Sequence, residues 1–284
     1  MAKRRTRAQL EALDQQIMDV CRKDHPVSVR HVFYRMTDPG LPEPVEKSGT
    51  GYRSVQRRVT ALRRSGRLPY GWIADATRIG WHVPTFADPD DFVRAYASAY
   101  RFDLWPSHAP TVEVWTESRS IAGVLRDVCR EFAVSLYPCG GFASLSLSHA
   151  AAIQYEGPVV VLYVGDFDPA GVLIDRSLER ELREHTEHEI TFRRLAINEN
   201  QIAEYDLPSK PRKGGDKRRL DIVATVEAEA MPAPVLRDIV RREIEHYLPE
   251  KSLDYARIMD EQGQQYLANF GLYGTSTVNG GSGA

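Results

Sequence analysis

Three acidic residues stand where strands of an α/β sheet are predicted to end. Glu117 directly follows an apolar strand predicted over residues 111–116. Asp166 and Asp168 directly follow a continuous apolar strand predicted over residues 158–165. In an open parallel sheet, functional side chains gather at the carboxyl ends of the strands. The three carboxylates are therefore predicted to meet at one edge of the sheet.

Acidic side chains grouped in this way are typical of a magnesium site. Neighbouring carboxylates repel one another and raise one another's pKa values, and a divalent cation relieves that repulsion. Hard oxygen ligands suit Mg²⁺, with Mn²⁺ as the alternative ion. Such a cation can polarise a phosphate oxygen and stabilise charge on a leaving sugar oxygen. The alternative is that the Asp-x-Asp pair caps a turn without a metal; the matching carboxylate of Glu117 favours the metal.

The charge of the chain is unevenly distributed, although its net value is only −2. Residues 1–67 carry 15 Lys and Arg against 7 Asp and Glu, whereas the remainder carries 22 against 32. A basic segment attached to an acidic body suggests a nucleic-acid-binding module. A solvated helical surface is the alternative.

The basic segment is predicted to form a winged helix. Amphipathic helices are expected over residues 5–23, 28–36 and 52–64, followed by a hairpin wing over residues 68–73. The third helix would face a DNA duplex and would mainly contact phosphates. Its basic residues are Arg53, Arg57, Arg58, Arg63 and Arg64. A second basic cluster, either a DNA clamp or a solvated loop, comprises Lys210, Arg212, Lys213, Lys217, Arg218 and Arg219.

From residue 111 onward, strands and helices alternate along the chain. Strands are predicted over residues 111–116, 134–137, 158–165 and 190–197, with helices over 120–132, 144–155 and 170–185 between them. This order predicts an α/β domain with a doubly wound parallel sheet. The predicted organisation is a DNA-binding domain over residues 1–105, a metal-binding domain over 111–250 and a C-terminal extension over 251–284.

The sequence also lacks several common signals. It has no apolar run of membrane-spanning length and no signal-peptide pattern, so we expect no membrane association and a cytoplasmic location. Its three cysteines, Cys21, Cys129 and Cys139, form no CxxC pair. Neither a zinc site nor a disulfide framework is therefore expected. Glu227 and Glu229 could supply an auxiliary metal ligand, but helix-entry or surface carboxylates are the preferred interpretation.

Two segments resemble the Toprim domain, a Rossmann-like parallel-sheet fold. The segment TESRSIA, residues 116–122, resembles the glutamate motif of that domain, and GDFDPAG, residues 165–171, resembles its DxDPxG motif. Toprim domains serve topoisomerases, primases and certain nucleases. The DPxG form is most similar to the A subunit of topoisomerase VI and its meiotic double-strand-break relatives. The resemblance implies that Glu117, Asp166 and Asp168 bind the metal.

In that family a winged-helix (CAP-like) domain precedes the Toprim domain and carries a catalytic tyrosine. The segment RHVFY, residues 30–34, resembles the tyrosine motif, with His31 in place of its aspartate and Phe33 in place of its first tyrosine. Tyr34 falls at the nucleophile position and Arg30 at the position of the assisting arginine. From its residues alone, the preferred interpretation of Tyr34 is a core aromatic of this helix, and the catalytic role is what the resemblance implies. The length is closest to compact phage and mobile-element homologues called Mini-A.

The resemblance implies magnesium-dependent cleavage of double-stranded DNA by a type IIB topoisomerase-like enzyme. Tyr34 would attack a backbone phosphate and remain on the 5′ end, and a homodimer would make a double-strand break in nucleoid or phage DNA. Topoisomerase (isomerase) activity would require a separate ATPase subunit. Two alternatives stay open: a Toprim nuclease that hydrolyses DNA with metal-activated water, and a non-catalytic DNA-binding regulator.

Overall fold

The protein is described from a computed structural model, which covers residues 5–74, 83–211, 222 and 224–273. The elements in chain order are α1 (Arg7–Asp24), α2 (Val29–Met36), α3 (Gly49–Arg64), α4 (Pro89–Ala97), β1 (Thr111–Thr116), α5 (Arg119–Glu131), β2 (Ser135–Pro138), α6 (Leu145–Ala152), β3 (Val159–Val164), α7 (Gly171–Glu184), β4 (Ile190–Ala196), α8 (Glu199–Glu204), β5 (Lys210–Pro211), β6 (Ala224–Thr225), α9 (Ala233–Glu245) and α10 (Ser252–Tyr273). Short 3-10 turns occupy Tyr70–Trp72 and Ala228–Ala230.

The first three helices begin at side-chain caps. Thr6 forms a capping box with Gln9 at the start of α1, and Ser28 caps α2 as predicted. Ser48 caps α3, which therefore begins three residues earlier than predicted. A β-carbon at position 51 would lie 1.9 Å from the carbonyl oxygen of Glu46, so this close approach of the backbone requires Gly51. Because two glycines stand in the first turn of α3, the sequence pattern predicted a later start for this helix.

The predicted hairpin wing over residues 68–73 is wrong. Pro69 precedes a 3-10 turn at Tyr70–Trp72, and Ile73 instead forms an isolated parallel bridge with Val27. The amide of Val27 donates to the carbonyl of Trp72 at 3.0 Å. Because a proline has no amide hydrogen and fixes φ, it favours this turn over a paired strand.

The four main strands form one parallel sheet, so the predicted α/β class is confirmed. The strand order is β2-β1-β3-β4. Every residue of β3 is buried, as expected for an apolar strand covered on both faces. Trp115 and Tyr163 are among the largest fully buried side chains of the core. This packing fixes β1 and β3, whose ends carry the acidic residues.

The chain divides into two compact units, and the three-part domain organisation expected from the sequence stays a prediction. The first unit comprises Met1–Arg78 and Pro110–Ile244, and the second comprises Ile79–Ala109 and Glu245–Ala284. In the second unit, Arg101 pairs with Asp260 of α10 at 2.9 Å. A β-carbon at Gly263 would lie 2.1 Å from the ring of Tyr100, so this contact depends on glycine. The helix α10 lies in the segment predicted only as a C-terminal extension.

Among the described helices, none combines the length and the apolar character needed to cross a bilayer.

Candidate functional site

The ends of two neighbouring strands bring Glu117 and Asp166 together. Thr116 of β1 lies opposite Val164 of β3 in the parallel register. The amide of Glu117 then donates to the carbonyl of Val164 at 2.9 Å. In return, Glu117 Oε2 accepts from the amide of Asp166, also at 2.9 Å. The strand-end placement expected from the sequence is therefore observed for these two residues.

The two aspartates bind different parts of the backbone. Asp168 Oδ1 accepts from the amides of Ala170 and Gly171 at 2.8 and 2.7 Å, and so caps the start of α7. Asp166 Oδ1 accepts from the amide of Ala228 at 2.8 Å, although the two residues are far apart in sequence. One oxygen of Asp168 therefore has the turn-capping role that was the predicted alternative to metal binding.

Two glycines leave room for these carboxylates. A β-carbon at Gly171 would lie 2.2 Å from the carbonyl oxygen of Asp166 and 3.1 Å from Glu117 Oε2. A β-carbon at Gly165 would lie 2.9 Å from the same Glu117 oxygen. The two glycines of the GDFDPAG segment are therefore required by the close approach of the chain.

A fourth acid completes what we call the carboxylate cluster, namely Glu117, Asp166, Asp168 and Glu229. Glu229 is buried and accepts from Ser120 Oγ at 2.5 Å. Burial raises the pKa of Glu117, and the charges of Asp168 and Glu229 raise it further. Burial also raises the pKa of Asp166 well above its usual range, with Glu117 and Glu229 as the next causes. These like charges are therefore held together at an electrostatic cost.

A cation would relieve that cost, and the chemistry of the donors suits one. Carboxylate oxygens are the ligands that Mg²⁺ prefers. In the part of the chain that the structure describes, however, no group of three or more His, Cys, Asp or Glu side chains is arranged to hold a metal ion. One oxygen of each of Glu117, Asp166 and Asp168 is instead engaged with backbone amides. Magnesium at this cluster stays a proposal.

Tyr34 and Arg30 lie one helical turn apart on α2. Tyr34 is only 3% exposed. Arg30 Nη1 donates to Glu227 Oε2 at 2.6 Å, and the same carboxylate lies close enough to Tyr34 for its charge to act on the hydroxyl. Burial raises the pKa of Tyr34 far above its ordinary value, and the charge of Glu227 raises it further. The raised pKa favours the protonated phenol over the phenolate.

Two lysines complete what we call the tyrosine site, namely Arg30, Tyr34, Lys47, Lys210 and Glu227. Lys210 Nζ donates to Glu227 Oε1 at 3.0 Å. Lys47 Nζ and Lys210 Nζ lie 6.0 and 5.8 Å from the centre of the Tyr34 ring. Lys210, predicted as part of a basic cluster, therefore contacts Glu227, for which a helix-entry or surface position was the preferred prediction.

A short segment, residues 226–230, connects the tyrosine site with the carboxylate cluster in the first unit. Val226 exchanges backbone hydrogen bonds with Phe167, between the two aspartates, at 2.8 and 2.9 Å. The segment then supplies Glu227 to Arg30, the amide of Ala228 to Asp166, and Glu229 to the acids. In the sequence, this connection is indicated only by the alternating acidic residues of VEAEA, residues 226–230. That pattern does not identify the partners of Glu227 and Glu229.

The arginines of α3 predicted to face DNA differ in their surroundings. Arg53, Arg57 and Arg64 are exposed. Arg58 instead makes a bidentate pair with the buried Asp14, at 2.6 and 2.5 Å. Arg63 packs 4.4 Å from the centre of the Tyr70 ring. Five residues of the predicted basic loop lie outside the described residues: Arg212, Lys213, Lys217, Arg218 and Arg219.

The chain and its fold were compared with models of protein families, with curated proteins and with solved structures. None of the three comparisons finds a match.

Proposed function

We propose that this protein cleaves double-stranded DNA in a magnesium-dependent reaction, with Tyr34 as the nucleophile. The proposal combines one observation with the resemblance of residues 30–34, 116–122 and 165–171 to the tyrosine and Toprim motifs. Residues 226–230 bond both to Arg30, one helical turn from Tyr34, and to Asp166, so that a potential nucleophile and a group of potential metal ligands share one connecting segment. The exposed arginines of α3 supply a basic surface for the backbone of DNA.

The proposed reaction is a transesterification. Tyr34 Oη forms a bond to the phosphorus of a backbone phosphate, and the bond from phosphorus to the 3′ oxygen breaks. The phenol proton passes to the carboxylate of Glu227, whose charge acts on the Tyr34 hydroxyl, and the 3′ oxygen leaves and takes up a proton from water. Arg30 stabilises the added negative charge at the phosphate. The product is a 5′-phosphotyrosyl end and a free 3′ hydroxyl.

The carboxylate cluster has a supporting role in this proposal. Glu117, Asp166 and Asp168 would hold the divalent cation, which when bound supplies positive charge to the phosphate and the leaving oxygen. Two copies of the chain, acting together on opposite strands, would produce a double-strand break. Strand passage would need an ATPase subunit as a further partner.

The test is incubation with supercoiled plasmid and Mg²⁺, followed by denaturing electrophoresis with and without protease. We expect linear DNA that enters the gel only after protease treatment. Tyr34→Phe should abolish both the break and the protein–DNA adduct. Tyr70→Phe is the matched control, because Tyr70 is an exposed tyrosine of the same N-terminal segment. Cleavage by Tyr34→Phe without an adduct excludes the covalent mechanism.

Hydrolysis by metal-activated water is the second candidate. One observation favours it: Tyr34 is buried, and its raised pKa disfavours the phenolate that attacks phosphorus. The Tyr34→Phe experiment separates the two reactions. Asp166→Asn and Asp168→Asn separate both from a non-catalytic regulator, since a regulator would retain its DNA-dependent effect without these charges.

A further inference from the structure

A cavity of about 360 Å³ opens in the first unit beside Arg30, which lies one helical turn from Tyr34 on α2. Its wall includes Arg30, Lys47, Lys210, Glu227 and the ring of Tyr52. This volume lies within the range of roughly 300–1,000 Å³ that is usual for small-molecule sites. The cavity is therefore large enough for a ligand rather than for a single water molecule.

Positive charge dominates the wall. Three cationic side chains face a single carboxylate, that of Glu227, which binds Arg30 and Lys210 through its two oxygens. Lys47 donates to the carbonyl of Ser209 at 2.8 Å, a neutral acceptor. Burial lowers the pKa of Lys47, and the nearby charge of Lys210 lowers it further. An anion between the two lysines would relieve their repulsion.

The wall is also partly aromatic. The guanidinium of Arg30 lies 5.4 Å from the centre of the Tyr52 ring, and Phe33 meets that ring edge-on at 5.5 Å. Phosphate esters of nucleosides combine an anion with a flat ring, and proteins bind them with cationic side chains and aromatic faces. Ser48 and Gly49, at the start of α3, also line the cavity.

We propose that this cavity binds the phosphate group of a nucleotide unit, with Arg30, Lys47 and Lys210 as its ligands. Glu227 occupies two of these cations when no phosphate is present and competes with the phosphate for them. The inference deepens the proposed function, because the nucleotide would belong to the strand that Tyr34 attacks. The site itself needs neither the hydroxyl of Tyr34 nor a metal.

Because Glu227 competes with the phosphate, the proposal predicts the direction in which each substitution changes the affinity for phosphate. Lys47→Met and Lys210→Met should each weaken phosphate binding by about tenfold, the effect of one charged hydrogen bond. Glu227→Gln keeps the shape but removes the competing charge, and should tighten binding by several-fold. Lys23→Met, an exposed lysine of α1, should leave binding unchanged.

The experiment is calorimetric titration of the full chain with thymidine 5′-monophosphate, with inorganic phosphate and with thymidine, in the absence of divalent metal. We expect both phosphates to bind and thymidine to bind far more weakly. Equal binding of thymidine, or weaker binding by Glu227→Gln, overturns the proposal. Preferential binding of a Glu-rich peptide over both phosphates overturns it in favour of an acidic protein partner.

The same titration with Tyr34→Phe separates this inference from the proposed function. If Tyr34→Phe binds phosphate normally while the wild-type chain never cleaves DNA, the pocket stands and the proposed function fails. If the wild-type chain cleaves DNA covalently while Lys47→Met and Lys210→Met bind phosphate normally, the proposed function stands and the pocket fails.

Discussion

The carboxylate cluster and the tyrosine site lie in the same unit but are assembled in different ways. In the carboxylate cluster, Glu117, Asp166 and Asp168 each accept from a backbone amide at a strand end or helix start. In the tyrosine site, charged side chains hold one another, and Arg30 and Glu227 come from distant parts of the chain. The first depends on backbone geometry, and the second on the balance of charge.

This contrast implies different sensitivities. A carboxylate that accepts from a backbone amide keeps its place when it becomes an amide, because the carbonyl oxygen of Asn accepts the same bond. A side chain that is held by an oppositely charged partner loses that attraction when its own charge is removed. Substitutions can therefore remove charge from the carboxylate cluster without moving it, whereas every charge change in the tyrosine site alters its neighbours.

The largest expected effect is that of Asp166→Asn on DNA cleavage. We expect at least about a 100-fold loss of activity with little loss of stability, because the bond to Ala228 is kept while the charge is removed. Plasmid cleavage and thermal unfolding measured together test this. Asp206→Asn, at an exposed position, is the control. An active Asp166→Asn enzyme would contradict the role of the cluster in catalysis.

Gly171→Ala tests whether backbone geometry sets the carboxylate cluster. The added methyl would meet the carbonyl of Asp166 at 2.2 Å, so the chain must shift, at a cost of about 2 kcal/mol in the free energy of unfolding. Gly157→Ala, where nothing lies within 4 Å, is the matched control. Urea unfolding measures both variants. Equal stability of the two would mean that the cluster tolerates displacement of its backbone.

Arg58→Met and Arg57→Met should separate structural from exposed arginines on α3. Arg58→Met removes two hydrogen bonds to the buried Asp14 and should lower the free energy of unfolding by about 2 kcal/mol. Arg67, which lies 3.6 Å from Asp14, would offset part of this loss. Arg57→Met should change stability by less than about 0.5 kcal/mol. If Arg57 contacts a phosphate, its loss should reduce the salt dependence of DNA binding by about one ion. A loss of stability in Arg57→Met but not in Arg58→Met would contradict the roles assigned to these two arginines.

The smallest effect concerns a third kind of carboxylate, Glu113, on strand β1, which directly precedes Glu117. Glu113 is buried, and Trp115 Nε1 and Tyr155 Oη donate to it at 2.9 and 2.8 Å. Burial raises its pKa above the ordinary value of 4.5. The folded state therefore prefers the protonated acid, and the contribution of Glu113 to stability is lost as the pH rises above 4.5 through the raised pKa.

Glu113→Gln should remove this part of the pH dependence. Urea unfolding of both proteins between about pH 4 and pH 7 measures it, and the difference between them isolates Glu113 from Glu117 and Asp166. The free energy of unfolding of the wild type should fall relative to that of Glu113→Gln as the pH rises. Parallel curves would show that Glu113 has the same pKa in the folded and unfolded states.

Local features of the sequence predicted the parts of the fold that depend on neighbouring residues. The apolar run of β3 and the cap at Ser28 lie where the sequence placed them. The strand-end position of Glu117 beside Asp166 also followed, because parallel strands end at the same edge of a sheet. Periodicity and capping act over a few residues, so a single sequence contains the information that they need.

Only the tertiary structure decided which charges meet. Arg58 looked like the other arginines of α3, but it pairs with Asp14 of α1, and Glu227 looked like a surface acid, but it joins Arg30 to Lys210. Residues 68–73 were predicted to form a hairpin, but Ile73 pairs instead with Val27. Each outcome depends on residues brought together from distant parts of the chain. The energy of an ion pair depends on distance and burial, which no local pattern specifies.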